Sequence, residues 1–185
     1  MDTDKTALVR VKDHIPSIFV ELKYATSDNF MGKAVYDFNE ALLRYGTTLR
    51  LKTAQAYLLE RGCSLKLWDA YRPMSAQFEM WAVCPDDDYV ADPTHGGSSR
   101  HNRGCAVDVT LVTADGAPLP MPTEFDDFAA RPDRDYSRRS PDAAANARLL
   151  EAAMAAGGFV PYEGEWWHFN DSDPYPVIHH PQEES

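Results

Sequence analysis

Residues 98–111, Ser-Ser-Arg-His-Asn-Arg-Gly-Cys-Ala-Val-Asp-Val-Thr-Leu, constrain the fold more than any other stretch of the chain. From Cys105 onward the residues alternate as a β-strand does. Cys105, Val107, Val109 and Leu111 point to one side, and Ala106, Asp108 and Thr110 to the other. A carboxylate among β-branched neighbours then lies on a half-buried sheet face, where an unpaired charge is costly. A bound cation would offset that cost. His101 and Asp108, on either side of Gly104, are both good metal-ligand types. A surface hairpin with an exposed Asp108 is the competing reading of the same residues.

A second stretch about sixty residues on, Glu165-Trp166-Trp167-His168-Phe169, sets two adjacent tryptophans between a carboxylate and an imidazole. Such an apolar wall around two polar groups suits a shielded site. A strand of strict period two puts Glu165 and His168 on opposite faces. The backbone must therefore bulge or turn there if both serve one metal. The alternative is a core strand with an edge Glu165 and a hydrogen-bonded His168. Taken together, His101, Asp108 and His168 with Glu165 left over make the inventory of a hydrolytic zinc site. That inventory is three protein ligands, an open position for water, and a carboxylate base.

The rest of the chain supplies a frame for these two stretches. Alternation suggests short strands at 7–11 and 18–24, and helical spacing of Leu51, Ala54, Tyr57 and Leu58 predicts a helix over 47–61 that stops at Gly62. Residues 64–70 read as a strand with Leu65, Leu67 and Asp69 on one face. Pro73 can begin a further helix, whose apolar stripe of Phe78, Trp81 and Ala82 is assigned to the core. Residues 85–100 and 113–139 are long and turn-rich; loops as long as 113–139 in a compact domain are usually functional or disordered, and part of the pocket is expected there. Asp86-Asp87-Asp88 lacks the ligand spacing of a calcium loop and reads as solvated. Ser140-Pro141-Asp142 opens a clear helix with an N-cap, a first-turn proline and an acidic start, running to Gly157-Gly158. The expected architecture is α+β: a small central antiparallel sheet flanked by helices, with the zinc site on the sheet. Residues 1–185 are expected to form a single domain, with 1–14 and 172–185 peripheral.

Composition narrows the function class. A net charge of −11 argues against nucleic acid as a partner, because phosphate binding needs a basic face. No run approaches the length of a membrane span, and the polar start Met-Asp-Thr-Asp-Lys-Thr resembles no secretory leader. Three scattered cysteines, Cys63, Cys84 and Cys105, fit reduced thiols in a cytoplasmic protein better than a disulfide framework. Of the other histidines, His95 is a rival ligand by proximity to His101. His14, His179 and His180 carry no such signal, and the last two are expected at the surface.

Ser99-x-His101-x-x-Gly104-x-Ala106-x-Asp108 followed by Glu165-x-x-His168 resembles the zinc signature of the D-Ala-D-Ala dipeptidases of the VanX type. Their wider family includes D,D-carboxypeptidases and phage endolysins. Leu22-Lys23-Tyr24-Ala25-Thr26, Asn29-Phe30, Asp69-Ala70-Tyr71-Arg72-Pro73 and Phe125-Asp126 extend the resemblance in the same order, from about residue 15 to about residue 170. The resemblance implies one zinc held by His101, Asp108 and His168, Glu165 as the general base, and Arg72 as the group that stabilises the oxyanion. An Arg72–Asp69 ion pair is the purely structural alternative. It also implies a small dipeptide substrate. The dipeptide's ammonium would meet Asp126, with Tyr24 nearby, and its carboxylate would meet donors such as Ser99 and Tyr36. A D,D-carboxypeptidase or endopeptidase on cell-wall peptides is the rival enzyme. A zinc-stabilised binding module without catalysis is the rival from another class, though such a module needs neither Glu165 nor Arg72. The chain departs from the family at Met121-Pro122-Thr123, where Met-Gly-Thr is usual. Pro122 fixes φ and removes an N–H, so the loop carrying Asp126 need not follow the family's course.

Overall fold

A computed structural model describes residues 4–178. His179 and His180, expected at the surface, lie outside the described residues. Seven strands and four helices are described. In chain order they are β1 (Leu8–Arg10), α1 (Val11–His14), β2 (Phe19–Val20), β3 (Leu42–Arg44), α2 (Tyr45–Leu59) and β4 (Cys63–Asp69). There follow α3 (Met74–Val83), β5 (Ala106–Thr113), α4 (Pro141–Ala156), β6 (Phe159–Pro161) and β7 (His168–Asp171). Among the described residues no helix is long and apolar enough to cross a membrane.

The main sheet has five strands in the order β2-β4-β5-β7-β6, and β1 pairs with β3 in a separate two-stranded sheet. The expectation of an antiparallel sheet holds for four of the five strands and fails at one edge, where β2 runs parallel to β4. The reason is the connection. Parallel neighbours need a crossover, and α2 supplies it by carrying the chain back before β4 begins. The strand expected at 18–24 is cut to two residues, because Lys23–Ala25 turns into a short 3-10 segment.

β5 runs through the centre of the sheet and is buried on both faces, so Asp108 is only 3% exposed and not half-buried as expected. Leu51, Ala54 and Leu58 of α2 and Leu150, Ala153 and Met154 of α4 are all fully buried in the core. The end of α4 is set where expected: Ser140 Oγ accepts a hydrogen bond from Ala143 N at 3.2 Å. α3 lies rotated from its expected orientation. Ala76, Gln77 and Met80 face inward and Trp81 packs partly buried against the core as expected, whereas Phe78 is 48% exposed and Ala82 is exposed. The inward polar Gln77 is satisfied by hydrogen bonds, as a buried amide must be. Within the first fourteen residues, expected to be peripheral, Val11 belongs to the core.

The register of three strands builds the site. Asp108 of β5 pairs with Asp69 of β4 on one side and with His168 of β7 on the other. Strict alternation puts Asp69 on the face of Leu65 and Leu67. The pairing instead slips between Leu67 and Asp69, so one extra residue of β4 is accommodated and Asp69 is delivered to the Asp108 face.

Candidate active site

His101 enters the row from a 3-10 turn, His101–Arg103, just before β5. That turn closes on Gly104 at φ 67°, a left-handed conformation that suits glycine. A Cβ there would come within 3.2 Å of the Leu8 side chain, a tight approach that Leu8 would have to relieve by a few tenths of an ångström. His168 Nδ1 lies 3.0 Å from Asp108 Oδ1, His101 Nε2 lies 3.3 Å from the same oxygen, and the two ring nitrogens are 3.2 Å apart. A tetrahedral zinc site with bonds of about 2.0–2.1 Å has ligand atoms roughly 3.3 Å apart. The three donors therefore form a triangle of the right size for such an ion.

The outer nitrogens fix the tautomers. His101 Nδ1 is 2.7 Å from the Ala70 carbonyl oxygen, so it carries the proton and leaves the Nε2 lone pair facing inward. His168 Nε2 is 2.9 Å from Asn170 Oδ1, which by the same logic leaves its Nδ1 lone pair inward when the ring is neutral. Two lone pairs and a carboxylate then converge with no donor among them, and a cation satisfies all three. A proton is the weaker substitute. Burial opposes the imidazolium of His101, yet the charges of Asp108 and Asp69 outweigh it and raise the pKa. Burial likewise opposes ionisation of Asp108, but His101 and then His168 hold its carboxyl far below the usual range. Among the described residues, His101, Asp108 and His168 are the group able to hold a metal. His95, the rival, is exposed and lies 2.7 Å from Asp92.

The turn required by Glu165 and His168 is present: the chain folds back over 162–167 before β7 begins, and His168 N donates to Glu165 O at 3.3 Å. Glu165 Oε2 is brought to 3.9 Å from His168 Nδ1. Burial, reinforced by the charges of Asp108 and Asp126 and opposed by His168, pushes its pKa up to about 8. A cation among the neighbouring donors acts the other way and favours the carboxylate.

Arg72 is 7% exposed and doubly engaged. Its Nε and Nη2 donate to Asp69 Oδ2 at 3.2 and 2.8 Å, and its Nη1 donates to Gln77 Oε1 at 3.0 Å. The structural ion pair is therefore real, and the same guanidinium also lines the cavity. Asp69 acts as its anchor, holding it 5.2 Å from the centre of the Tyr24 ring.

These groups line one cavity of about 220 Å³. Tyr24, Arg72, Ser99, His101, Asp108, Asp126, Glu165 and His168 all border it, whereas Tyr36 does not. The Tyr36 hydroxyl donates to Asp69 Oδ1 at 2.7 Å, and its ring stacks on Phe38. Ser99 Oγ accepts from His101 N at 3.2 Å. Despite Pro122, Asp126 reaches the cavity, at a positive φ of 58°. Its carboxylate accepts from Tyr24 Oη at 3.1 Å and from Phe30 N at 3.2 Å. Burial and the charge of Asp108 raise its pKa to about 7 despite those hydrogen bonds. Tyr89, Phe128 and Tyr162 also wall the cavity, and sequence reasoning missed them because each comes from a separate loop. Asn170 could have been found, since it lies two residues from His168 on the same strand face.

A buried two-histidine, one-carboxylate donor set beside a carboxylate and an arginine defines a metal-dependent hydrolase. The comparisons with known proteins narrow this. The profile of a peptidase family described as D-ala-D-ala dipeptidase matches residues 4–182. The chain is 39% identical over 178 residues to the D-alanyl-D-alanine dipeptidase of Escherichia coli K12, covering 95% of this chain and 91% of that one. It is 34% identical to the D-alanyl-D-alanine dipeptidases of Enterococcus faecalis V583, over 84% of this chain and 87% of that one, and of Streptomyces coelicolor, over 90% and 92%. The chain belongs to the D-ala-D-ala dipeptidase family and is a metallopeptidase.

Proposed function

We propose that the protein is a zinc dipeptidase that hydrolyses D-Ala-D-Ala or a closely similar free dipeptide. The observation that carries this reading is the meeting of three inward donors, His101, Asp108 and His168, with Glu165 and Asp126 around one small cavity. Ligand pockets for drug-sized molecules run from about 300 to 1,000 Å³, and 220 Å³ is short of that, as suits a dipeptide. The donor types, two imidazoles and a carboxylate, suit zinc in a hydrolytic site with an open position.

When bound there, zinc acts as a Lewis acid that polarises the scissile carbonyl and makes a water easier to deprotonate. Glu165 takes the water's proton and passes it to the leaving amine, a role that requires a carboxylate near the metal but not bound to it. Arg72, fixed by Asp69 and Gln77, directs a permanent positive charge at the developing oxyanion. Asp126 receives the substrate ammonium beside Tyr24, and Ser99 is the cavity's candidate donor to the substrate carboxylate. Tyr36 supports this arrangement at one remove, through Asp69.

Arg72→Ala is expected to lower kcat by roughly 10²–10³ with a much smaller rise in KM, since the charge acts on the transition state. Equal losses confined to KM would make Arg72 a substrate clamp instead.

The reading as a whole is tested with zinc-loaded protein and a panel of D,D-, L,D- and L,L-dipeptides, N-acetyl-D-Ala-D-Ala and a longer wall peptide. Asp126 is desolvated, and a substrate ammonium is the partner that compensates its charge. Acetylation removes that ammonium, and losing a buried charge partner costs about 3–5 kcal/mol, or roughly 10²–10³ or more in kcat/KM. Comparable rates on the free, acetylated and extended substrates would replace the dipeptidase with a carboxypeptidase.

A further inference from the structure

Arg134 comes from the irregular stretch before α4 and borders a surface cleft separate from the catalytic cavity. Its side chain is nevertheless only 7% exposed. The guanidinium spends its donors on the turn that carries the catalytic groups. Nε donates to the Tyr162 carbonyl at 2.7 Å, and Nη2 donates to the carbonyls of Glu165 at 3.0 Å and His168 at 2.8 Å. Nη1 pairs with Glu151 of α4 at 2.9 Å, and Glu151 also accepts from the Tyr136 hydroxyl at 2.6 Å. The guanidinium also lies 4.5 Å from the centre of the Phe169 ring.

The placement answers a question raised by the sequence. A strand sets residues three apart on opposite faces, so presenting Glu165 and His168 to one cavity requires a turn with its carbonyls turned away from the site. Carbonyls at positions 162, 165 and 168 converge there; each accepts a backbone N–H of the turn, at 3.5, 3.3 and 3.1 Å, and Arg134 adds a shorter bond to each, at 2.7, 3.0 and 2.8 Å, that ties the three together. A planar fork with several fixed donors satisfies all three at once, which the point charge of a lysine cannot do.

We propose that Arg134 is a positioning residue for catalysis: it locks the Tyr162–His168 turn from behind and so sets both the Glu165 carboxylate and the inward nitrogen of His168. The inference rests on the roles assigned above to Glu165 and His168. Asp126, Tyr24 and Ser99, assigned above to the substrate's charged ends, belong to other segments, and the turn adds only the walls Tyr162 and Trp167, so KM should change far less than kcat.

The test compares Arg134→Ala, Arg134→Lys and Glu151→Gln in the full chain, measuring kcat, KM, zinc affinity by competition with a chelator, and Tm. A misplacement of about 1 Å costs up to about 10²-fold, so Arg134→Ala should lose on that order in kcat while KM stays within about threefold. Its zinc affinity should fall about 10–100-fold, as when an orienting partner of a ligand is lost. Arg134→Lys keeps the charge and much of the packing, and should still lose at least tenfold in kcat if the fork geometry is what matters. Glu151→Gln removes the ion pair but leaves the three carbonyl bonds, so it should lower Tm with kcat within about threefold of the parent. Should Arg134→Ala fail to fold, the lysine variant decides. Parent-like kcat and zinc affinity in a folded Arg134 variant, or a change in KM alone, would overturn the proposal. Glu165→Ala measured alongside separates the two ideas. An active Glu165→Ala overturns the assigned base, whereas an inactive one beside a fully active Arg134→Ala overturns the positioning role alone.

Discussion

Replacing Glu165 with alanine is expected to leave metal content unchanged while removing nearly all turnover, by about 10²–10⁴-fold if proton transfer is its whole contribution. The separation follows from geometry. The three candidate metal donors are His101, Asp108 and His168, a group that does not include Glu165, whose Oε2 stands 3.9 Å from His168 Nδ1. Metal analysis run beside the dipeptide assay makes the comparison. A variant with normal turnover would move the base elsewhere, with Asp126 the next carboxylate on the cavity wall. Stability gives a second readout. The pKa of Glu165 in the metal-free fold is raised from 4.5 to about 8, so the native state holds its proton more tightly than the unfolded chain does. Its contribution is therefore present in full below about 4.5 and is lost as pH rises through about 8. The metal-free alanine variant should lose less Tm than the parent between those values.

His168→Ala is expected to abolish metal retention and, with it, turnover. The substitution removes one of three donors and leaves Asp108, which is buried, without its 3.0 Å partner. Loss of a partner that merely orients a ligand costs about 10–100-fold in metal affinity, and loss of the ligand itself should exceed that. The stability effect is tied to the ion: at free zinc about 1,000 times Kd, binding adds about 4 kcal/mol to the native state, and the variant should lack that increment. Thermal melts with and without zinc, together with metal analysis after dialysis, measure both. Asn170→Ala gives the graded control, since it removes only the 2.9 Å orienting contact and should keep a weakened site. Stoichiometric zinc in His168→Ala would remove His168 from the ligand set.

Much of this site was written in local patterns. His101, Asp108, Glu165 and His168 were legible because a charge among β-branched residues and a carboxylate–imidazole pair around two tryptophans are chemically unusual neighbours. The α4 cap and the stop after α2 were legible because caps act over three or four residues. Where physics acted across the chain, the sequence was silent. The orientation of α3 depended on Gln77 finding Arg72 and the Ala91 carbonyl, so an apolar stripe gave way to a buried amide. Asp69 reached the site only because its pairing with β5 slips by one residue, a feature of the two strands together. Tyr36 was expected as a donor to the substrate carboxylate, but a buried carboxylate at 2.7 Å claimed its hydroxyl.

The sequence alone showed the family and named the candidate ligands, the proposed base and the proposed oxyanion arginine, because those are chemical identities carried by single residues at fixed spacing. Only the tertiary structure decided which lone pairs face inward, what clamps Arg72, and how Glu165 and His168 share a cavity against the strand's own period. Those depend on the Ala70 carbonyl, on Asn170, on Asp69 and on Arg134. Asn170 and Asp69 are near neighbours in sequence of the groups they hold, so those contacts were open to a local reading, but the Ala70 carbonyl and Arg134 lie 31 to 34 residues from theirs, and partners at such separations are set by strand register and packing, which no local pattern encodes.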